Sequence, residues 1–512
     1  MLSRRDFFYS TLALYAAWPT RRLFAGAVRQ NPRFTTSPFT LGIASGDPSA
    51  TGVVLWTRLA LDPLHGGGMP PEPVEVEWRI AADDRMSRIV KSGKSVAAGA
   101  WGHSVHVEVD GLSPHTWYWY QFRAGNELSA VGRTRTFPAA RTDVERARFG
   151  FVSCQHYEQG LYTALDHMAR EDLDFAVHLG DYIYENPGGP NRVRQHVGGE
   201  LMTLEDYRNR YAQYKSDPAL QAVHAAFPWI VVWDDHEVDN NYAGFTSERD
   251  DPVEEFAKRR AAGYQAYYEH MPLRRASIPR GPLMQIYRPF AYGNLANLFM
   301  LDTRQFRTDQ PCGDNVKPPC PGMYDPKATL LGPTQEKWLI DGLSHSSSRW
   351  NLLAQQIMMA RLDRVPGADV GLSMDKWDGY DVERARLLKF FDGKRPSNPI
   401  VLAGDIHNNW VNDLHLDAAD VSSPMVATEF VGTSVSTTGD GVDITDAQKA
   451  MVAENPWVRF CNNQRGYVTC DVARNIFKTN YRVVDFVTRP GAPVTTRASF
   501  VVESGQAGAK RE

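Results

Sequence analysis

Trp229-Ile-Val-Val-Trp-Asp-Asp-His-Glu-Val-Asp-Asn-Asn241 sets five apolar residues directly against a run of acids, amides and one imidazole. A short apolar run ended by polar residues reads as a buried strand. Acid and amide crowded at the end of a buried strand are costly unless something positive sits there. The same grammar recurs along the chain. Phe149-Gly-Phe-Val-Ser153 runs into Cys154, and Asp174-Phe-Ala-Val-His-Leu179 runs into Gly180-Asp181, with Tyr184 close behind. Ile400–Ala403 ends at Gly404-Asp405-Ile406-His407. A single Gly-Asp is only a turn cap. Four polar strand ends in one segment instead predict a shared ligand, because α/β sheets collect binding residues at the carboxyl ends of their strands.

Outward from these strands, helical stretches are expected at Gly160–Glu171, Thr203–Lys215 and Asp217–Ala226, and further strands at Ala296–Leu301 and Trp350–Ala354. This alternation predicts a layered α/β domain over residues 148–505, closing on short strands at Tyr467–Cys470, Tyr481–Val487 and Ala498–Val502. Upstream the period changes. Gly52–Arg58, Val74–Ile80, His103–Val109 and Trp117–Arg123 are short strands, several alternating apolar and polar residues, which predicts a small all-β sandwich over residues 35–140. Gly111-Leu-Ser-Pro-His-Thr116 followed by Tyr118 resembles the tyrosine corner of fibronectin type III modules. Pro138–Arg148 is the polar linker between the two parts.

The 512 residues are 43% hydrophobic and 23% charged, an ordinary globular balance that excludes disordered, collagen-like and coiled-coil chains. Lys and Arg total 56 against 60 Asp and Glu, so no strong field draws the chain to nucleic acid or anionic membranes. Residues 1–27 read as a twin-arginine export signal. Ser3-Arg4-Arg5-Asp6-Phe7 supplies the arginine pair and Ala25-Gly26-Ala27 the small-residue cleavage site. The apolar run between them, about a dozen residues, falls short of the ~20 a membrane span needs. The expectation is a periplasmic or secreted protein whose export partner is the twin-arginine translocase. That route carries folded proteins, often with cofactors loaded, a first pointer to a metal.

Disulfides are permitted outside the cytoplasm. Cys312 with Cys320 and Cys461 with Cys470 are two local pairs, although four cysteines allow three connectivities. Cys154 remains. It suits a small buried hydrophobe, a nucleophile or a metal ligand. No Cys-x₅-Arg phosphate loop and no Gly-x-Ser-x-Gly elbow is present, which disfavours the nucleophile.

The motifs Val152-Ser-Cys-Gln155, His178-Leu-Gly-Asp-Tyr-Ile-Tyr-Glu185, Trp233-Asp-Asp-His-Glu237, Leu301-Asp-Thr-Arg304 and Gly404-Asp-Ile-His407 resemble, in this order, the calcineurin-like metallophosphoesterases and within them the PhoD family of alkaline phosphatase/phosphodiesterases. The resemblance implies a two-layer β-sandwich flanked by helices and a two-metal site. One position would collect Cys154, Asp181, Tyr184 and His407. Thiolate with phenolate suits Fe³⁺. The neighbouring position would share Asp181 and add Asp235 and Asp405, an oxygen-rich set suited to Ca²⁺. Asn240, Asn241 and Gln355 or Gln356 are candidates to complete its shell. The expected cofactors are thus one iron with one or two calcium ions.

The implied activity is hydrolysis of phosphodiesters, and of monoesters as well, at alkaline pH by a metal-activated hydroxide. Small-molecule and polymeric substrates, from nucleotides to phospholipids and teichoic-type polymers, are all compatible. His236 is placed to protonate the leaving oxygen or stabilise charge, unless it serves only to orient Asp235. Arg304 is placed to clamp a phosphate oxygen, or to pair with Asp302. Ser247–Arg260 is a candidate lid. The rivals are a phospholipase D-like or monoesterase-dominant enzyme and, from another class, a non-catalytic protein binding a cell-surface polymer.

Overall fold

Phe149 and Phe151, Phe175 and Val177, and Trp229 and Ile230 lie in short apolar runs that are buried on both faces, as parallel strands between two layers must be. Strands Arg146–Val152, Phe175–His178 and Pro228–Val231 lie side by side in parallel. Arg465–Ala473, Ile476–Val484 and Val494–Glu503 extend them antiparallel, within a sheet of ten strands. A second sheet of seven strands is built on parallel Ala296–Met300, Trp350–Ala354, Pro399–Ala403 and Met425–Val431. The two sheets face each other. Phe477 of the first stacks on Phe430 of the second at 5.9 Å and meets Trp350 at 5.5 Å. Alternate residues of the second sheet, Leu353, Val401 and Val431, turn the other way onto helices Gly332–His345 and Asp381–Lys394. Helices Leu204–Lys215 and Val253–His270 cover the first sheet, with Tyr264 stacked on Trp233 at 4.2 Å. This is the layered α/β sandwich expected of the sequence.

This computed structural model describes residues 28–394 and 396–512. The expected export leader, residues 1–27, lies outside the described residues. Among those described, no helix is long and apolar enough to cross a membrane.

The N-terminal strands form a sandwich, but not a separate one. Val74–Ala81, Ile89–Ala97 and Trp117–Ala124 make the outer sheet, and the Tyr118 hydroxyl accepts the Ser113 N–H at 2.9 Å, closing the tyrosine corner. The opposing layer consists of Ile43–Gly46, Val53–Arg58 and Ser104–Val109, whose Val53 and Leu55 pack on Val76 and Tyr120. Ile43–Gly46 also pairs in parallel with Pro228–Val231, so this layer is the end of the ten-stranded sheet. The chain changes grammar at the linker; the sheet does not.

Two expectations are corrected. Cys312 and Cys320 form a disulfide. Cys461 and Cys470 do not. They lie on Val458–Asn462 and Arg465–Ala473, strands of different sheets, as free thiols buried in separate cores. Nor is Ser247–Arg260 a lid. Helix Val253–His270 begins inside it, Phe256 and Arg260 are buried, and Arg259 donates to Asp239 at 2.8 Å.

Candidate metal centre

The site forms where the parallel strands of both sheets end, and each end turns sharply. Cys154, Asp181, Asp405 and His407 all have left-handed backbones, with φ of 58°, 56°, 63° and 62°. That conformation costs a non-glycine residue about 1–2 kcal/mol. Its recurrence at four positions in one side-chain cluster is the kind of strain that accumulates at functional sites. The glycine before each aspartate is required for space. A Cβ on Gly180, whose φ is +112°, would sit 2.5 Å from the backbone nitrogen and Cβ of Asp234, and a Cβ on Gly404 would collide with Ser153. The turns are laced together, Cys154 N–H to the Gly180 carbonyl at 3.1 Å and Gln155 N–H to the Asp181 carbonyl at 3.0 Å.

Three overlapping sets of donors result. Ligand atoms of Cys154, Asp181 and His407 lie within 4.8 Å of one another, as do those of Asp181, Asp235 and His236, and those of Asp234, Asp235 and Asp405. Tyr184 joins the first set: its hydroxyl donates to Asp181 Oδ2 at 2.9 Å and stands 3.4 Å from His407 Nε2. Oδ1 of Asp181 and of Asp235 are buried without a hydrogen-bond partner, an expensive state for a carboxylate. Burial first, and the Asp181 charge second, push both the Cys154 thiol and the Tyr184 phenol well above their ordinary range. Neither ionises without a cation nearby. The donor set therefore fits a metal centre: a cation would satisfy the orphaned oxygens and ionise the thiol and phenol together.

The carboxylates are held by residues that sequence reasoning assigned no role. Glu237 accepts N–H bonds from Asp181 at 3.2 Å, Tyr182 at 2.5 Å and Asp234 at 2.8 Å, pinning two strand ends with one side chain. Burial, then Asp181, raises its pKa to about 8. Glu185 accepts from His236 Nδ1 at 2.7 Å. Burial works against charge on His236, yet Glu185, Asp235 and Asp181 outweigh it and hold the imidazolium well above its ordinary range. Thr437 donates to the Cys154 carbonyl at 2.6 Å, accepts the His156 N–H at 3.1 Å and touches the Tyr184 hydroxyl at 2.9 Å. Glu185 and Glu237 stand inside the quoted motifs, so their place was legible; Thr437 follows no strand-end pattern.

Arg304 is not the expected phosphate clamp. Its side chain is fully buried, with Nε on Asp234 at 2.5 Å and both terminal nitrogens on Asp375, at 2.8 and 3.0 Å. It also lies 3.5 Å from Asp235 and 3.8 Å from Asp405, a fixed cation beneath the carboxylates. Asp302 instead accepts from its backbone N–H. Asn240 gives its side-chain amide to Glu248 at 2.6 Å and its backbone N–H to Glu185 at 3.1 Å. Asn241 donates to Asp235 through its backbone at 2.7 Å and to Asp314 through its side chain at 2.6 Å. Gln356 is committed to Thr303 and Leu301, and Gln355 to Ile357 and Trp377. These bonds make both glutamines part of the wall.

A family model described as PhoD-like phosphatase matches residues 149–481, and one described as its N-terminal domain matches residues 25–138. The chain belongs to the PhoD-like phosphatase family. Alkaline phosphatase D of Bacillus subtilis (strain 168) is 51% identical over 491 residues, 94% of this chain and 84% of that one. A solved structure of PhoD superposes with a TM-score of 0.92 at 51% identity, covering 94% of this chain and 93% of that one. As a member of this family the chain is an enzyme, a hydrolase of phosphoric esters with an α/β sandwich behind an N-terminal β domain.

Proposed function

We propose that this PhoD-like phosphatase is an exported, metal-dependent enzyme that hydrolyses phosphodiesters, and monoesters as well, at alkaline pH. One observation carries the reading: thiol, phenol, imidazole and carboxylate donors converge in one set, beside a second set whose acidic donors are Asp234, Asp235 and Asp405. The first set suits Fe³⁺ and the second Ca²⁺. Cys154, Asp181, Tyr184 and His407 would hold the iron, with Asp181, Asp235 and Asp405 holding calcium. When bound, such cations polarise a phosphoryl group and acidify water.

The chain's own residues supply the rest. Glu237 ties the backbone of Asp181 to that of Asp234, which holds in place the turn that carries the Asp181 carboxylate. Glu185 occupies Nδ1 of His236, so Nε2 is the nitrogen that would give its proton to the departing oxygen. The strongest support for the proton on His236 comes from Glu185, which is not among the proposed metal ligands. His236 is thus the general acid, and export of the folded chain through the twin-arginine route completes the reading.

The reading is tested by hydrolysis of bis-p-nitrophenyl phosphate at alkaline pH, with and without a calcium chelator, alongside elemental analysis of the protein. Turnover that the chelator removes and Ca²⁺ restores, with about one iron per chain, is the expected result. Turnover indifferent to chelation would sink the calcium assignment, and absence of iron from active protein would sink the first site.

A further inference from the structure

With Arg304 withdrawn from the substrate, the carboxylate-rich side of the centre needs another group to face a phosphoryl oxygen. Arg304, Arg307 and Lys376 stand there, and their surroundings separate them. Arg304 and Arg307 have side chains with no exposed surface. Arg307 spends its guanidinium on the Thr303 carbonyl at 2.6 Å and on Asp375 at 2.5 Å. Lys376 differs. Its side chain retains 13% exposure, and it lies against Asp405, which is also partly open to solvent. Its ammonium pairs with Asp405 Oδ2 and bonds Asp375 Oδ2 at 3.3 Å. An ammonium has three donors. One bonds Asp375 and the ion pair with Asp405 takes at most a second, so at least one is uncommitted on a side chain that keeps some exposure.

We infer that Lys376 is a substrate-binding residue whose third N–H takes a non-bridging oxygen of the phosphoryl group. The anchoring suits the task. Asp375 is itself held by Arg304 and Arg307, and the preceding residues, Leu372–Ser373, pair with Val316–Lys317 inside the loop that the Cys312–Cys320 disulfide closes. The ammonium is therefore placed rather than free to sweep, which preserves the energy of a charge-assisted hydrogen bond. Asp405, a carboxylate of the second set, is in direct contact, so the cation stands at the edge of the proposed metal centre.

The test uses the metal-loaded enzyme, its Lys376→Met and Lys376→Arg variants, and inorganic phosphate as the probe. Metal content and thermal unfolding are measured first, then competitive inhibition by phosphate and the KM and kcat for p-nitrophenyl phosphate. The expected result for Lys376→Met is native metal content with a phosphate inhibition constant and KM each raised tenfold or more, and recovery of at least part of that loss in Lys376→Arg. An unchanged inhibition constant at full metal content would overturn the assignment and leave Lys376 a tie between carboxylates. Metal loss that accounts for the weaker phosphate binding would also overturn it, making the residue part of the metal cradle. Should Lys376→Met not fold, Lys376→Gln, which keeps a donor for Asp375 without the charge, gives the same discrimination. The proposal rests on the metal-dependent reading, and because metal content is read separately, its failure is distinguishable from failure of the iron and calcium assignments.

Discussion

Gly180 shows how little slack the centre holds. Its φ of +112° is open only to glycine, and any Cβ meets the Asp234 backbone at 2.5 Å. Gly180→Ala combines backbone strain with a clash against main chain, and about 3 kcal/mol of destabilisation is expected. Urea unfolding measures it, and a shift under 1 kcal/mol would mean that the turn relaxes without cost. Thr437 tests a different property. If the tyrosine and cysteine hold iron, the protein absorbs visible light through them, and the Thr437 hydroxyl sits on that phenol. Thr437→Val should shift the band and weaken iron retention several-fold, while Thr437→Ser, which keeps the hydroxyl, should restore both. An unmoved spectrum in the valine variant would reduce the threonine to a loop brace. Residues of this kind divide by legibility. Cys154, Asp181, Asp235, Asp405 and His407 announce themselves because a polar group closing a buried strand is costly until a partner meets it. Asp375 and Lys376 follow only a two-residue strand, Leu372–Ser373, and lie in a stretch that reads as loop. Nothing local marks them, and only tertiary pairing brings them to Asp405.

At the scale of elements, pairing across sheets is what sequence periodicity misses. Val74–Ala81, Ser104–Val109 and Trp117–Ala124 are recognisable by alternation. Ile43–Gly46 is not, because Ile43-Ala-Ser-Gly46 is short, small and buried at every position. Ile89–Ala97 is hidden for the opposite reason, being an edge strand with most residues exposed and a glycine packed on Trp78. The nine-residue separation of Cys461 and Cys470 suggests a hairpin bridge, but the chain crosses from one sheet to the other between them. The Cys312–Cys320 bond, by contrast, closes a loop that stays within one region. Its removal in Cys312→Ser/Cys320→Ser should cost about 2–3 kcal/mol by loop entropy. It should also raise the KM for p-nitrophenyl phosphate, because the Val316–Lys317 and Leu372–Ser373 ladder then holds Lys376 less firmly. Unchanged KM in a destabilised variant would confine the bond to stability.

Strand Met425–Val431 carries a second element-scale consequence. Glu429 accepts N–H bonds from Met359 at 2.6 Å and Ala360 at 3.1 Å, and the Asn412 amide at 2.9 Å. Its complete burial raises its pKa to about 7 from 4.5. A carboxyl that holds its proton more tightly when folded contributes most below the unfolded pKa, and the contribution fades as pH rises through the folded one. Between pH 4.5 and 7 this group should withdraw about 2–3 kcal/mol of stability as pH rises, with nothing further lost above that window. Glu429→Gln removes the titration. Its deficit relative to the parent chain should therefore be largest near pH 5 and shrink by pH 7.5, as read by urea midpoints at the two values. A deficit independent of pH would mean that Glu429 is already ionised when folded.

For the whole molecule the question is whether the N-terminal region is an appendage or a structural half of the enzyme. A change of grammar at Pro138–Arg148 suggests an appendage, and an independent sandwich would melt on its own. The sheet argues otherwise. Ile43–Gly46 covers the open edge of Pro228–Val231, the strand that leads into Asp234 and Asp235. Trp56 donates to the Glu269 carbonyl at 2.9 Å, and Arg58 meets His270 Nε2 at 2.8 Å, so helix Val253–His270 is held from the N-terminal side. Gly46 allows that approach, since a Cβ there would collide with the Pro272 and Trp229 carbonyls. A chain beginning at residue 141 would expose an unpaired parallel edge of apolar residues, a template for aggregation, and would loosen the carriers of Asp235 and His236. The expected outcome is a single calorimetric transition for the full chain and insoluble or inactive protein for the shortened one. Two resolved transitions, or a soluble shortened chain with native metal content and turnover, would show that the N-terminal strands merely rest against the centre. One transition would show that the enzyme's sheet is completed by strands that precede its chemistry in the chain.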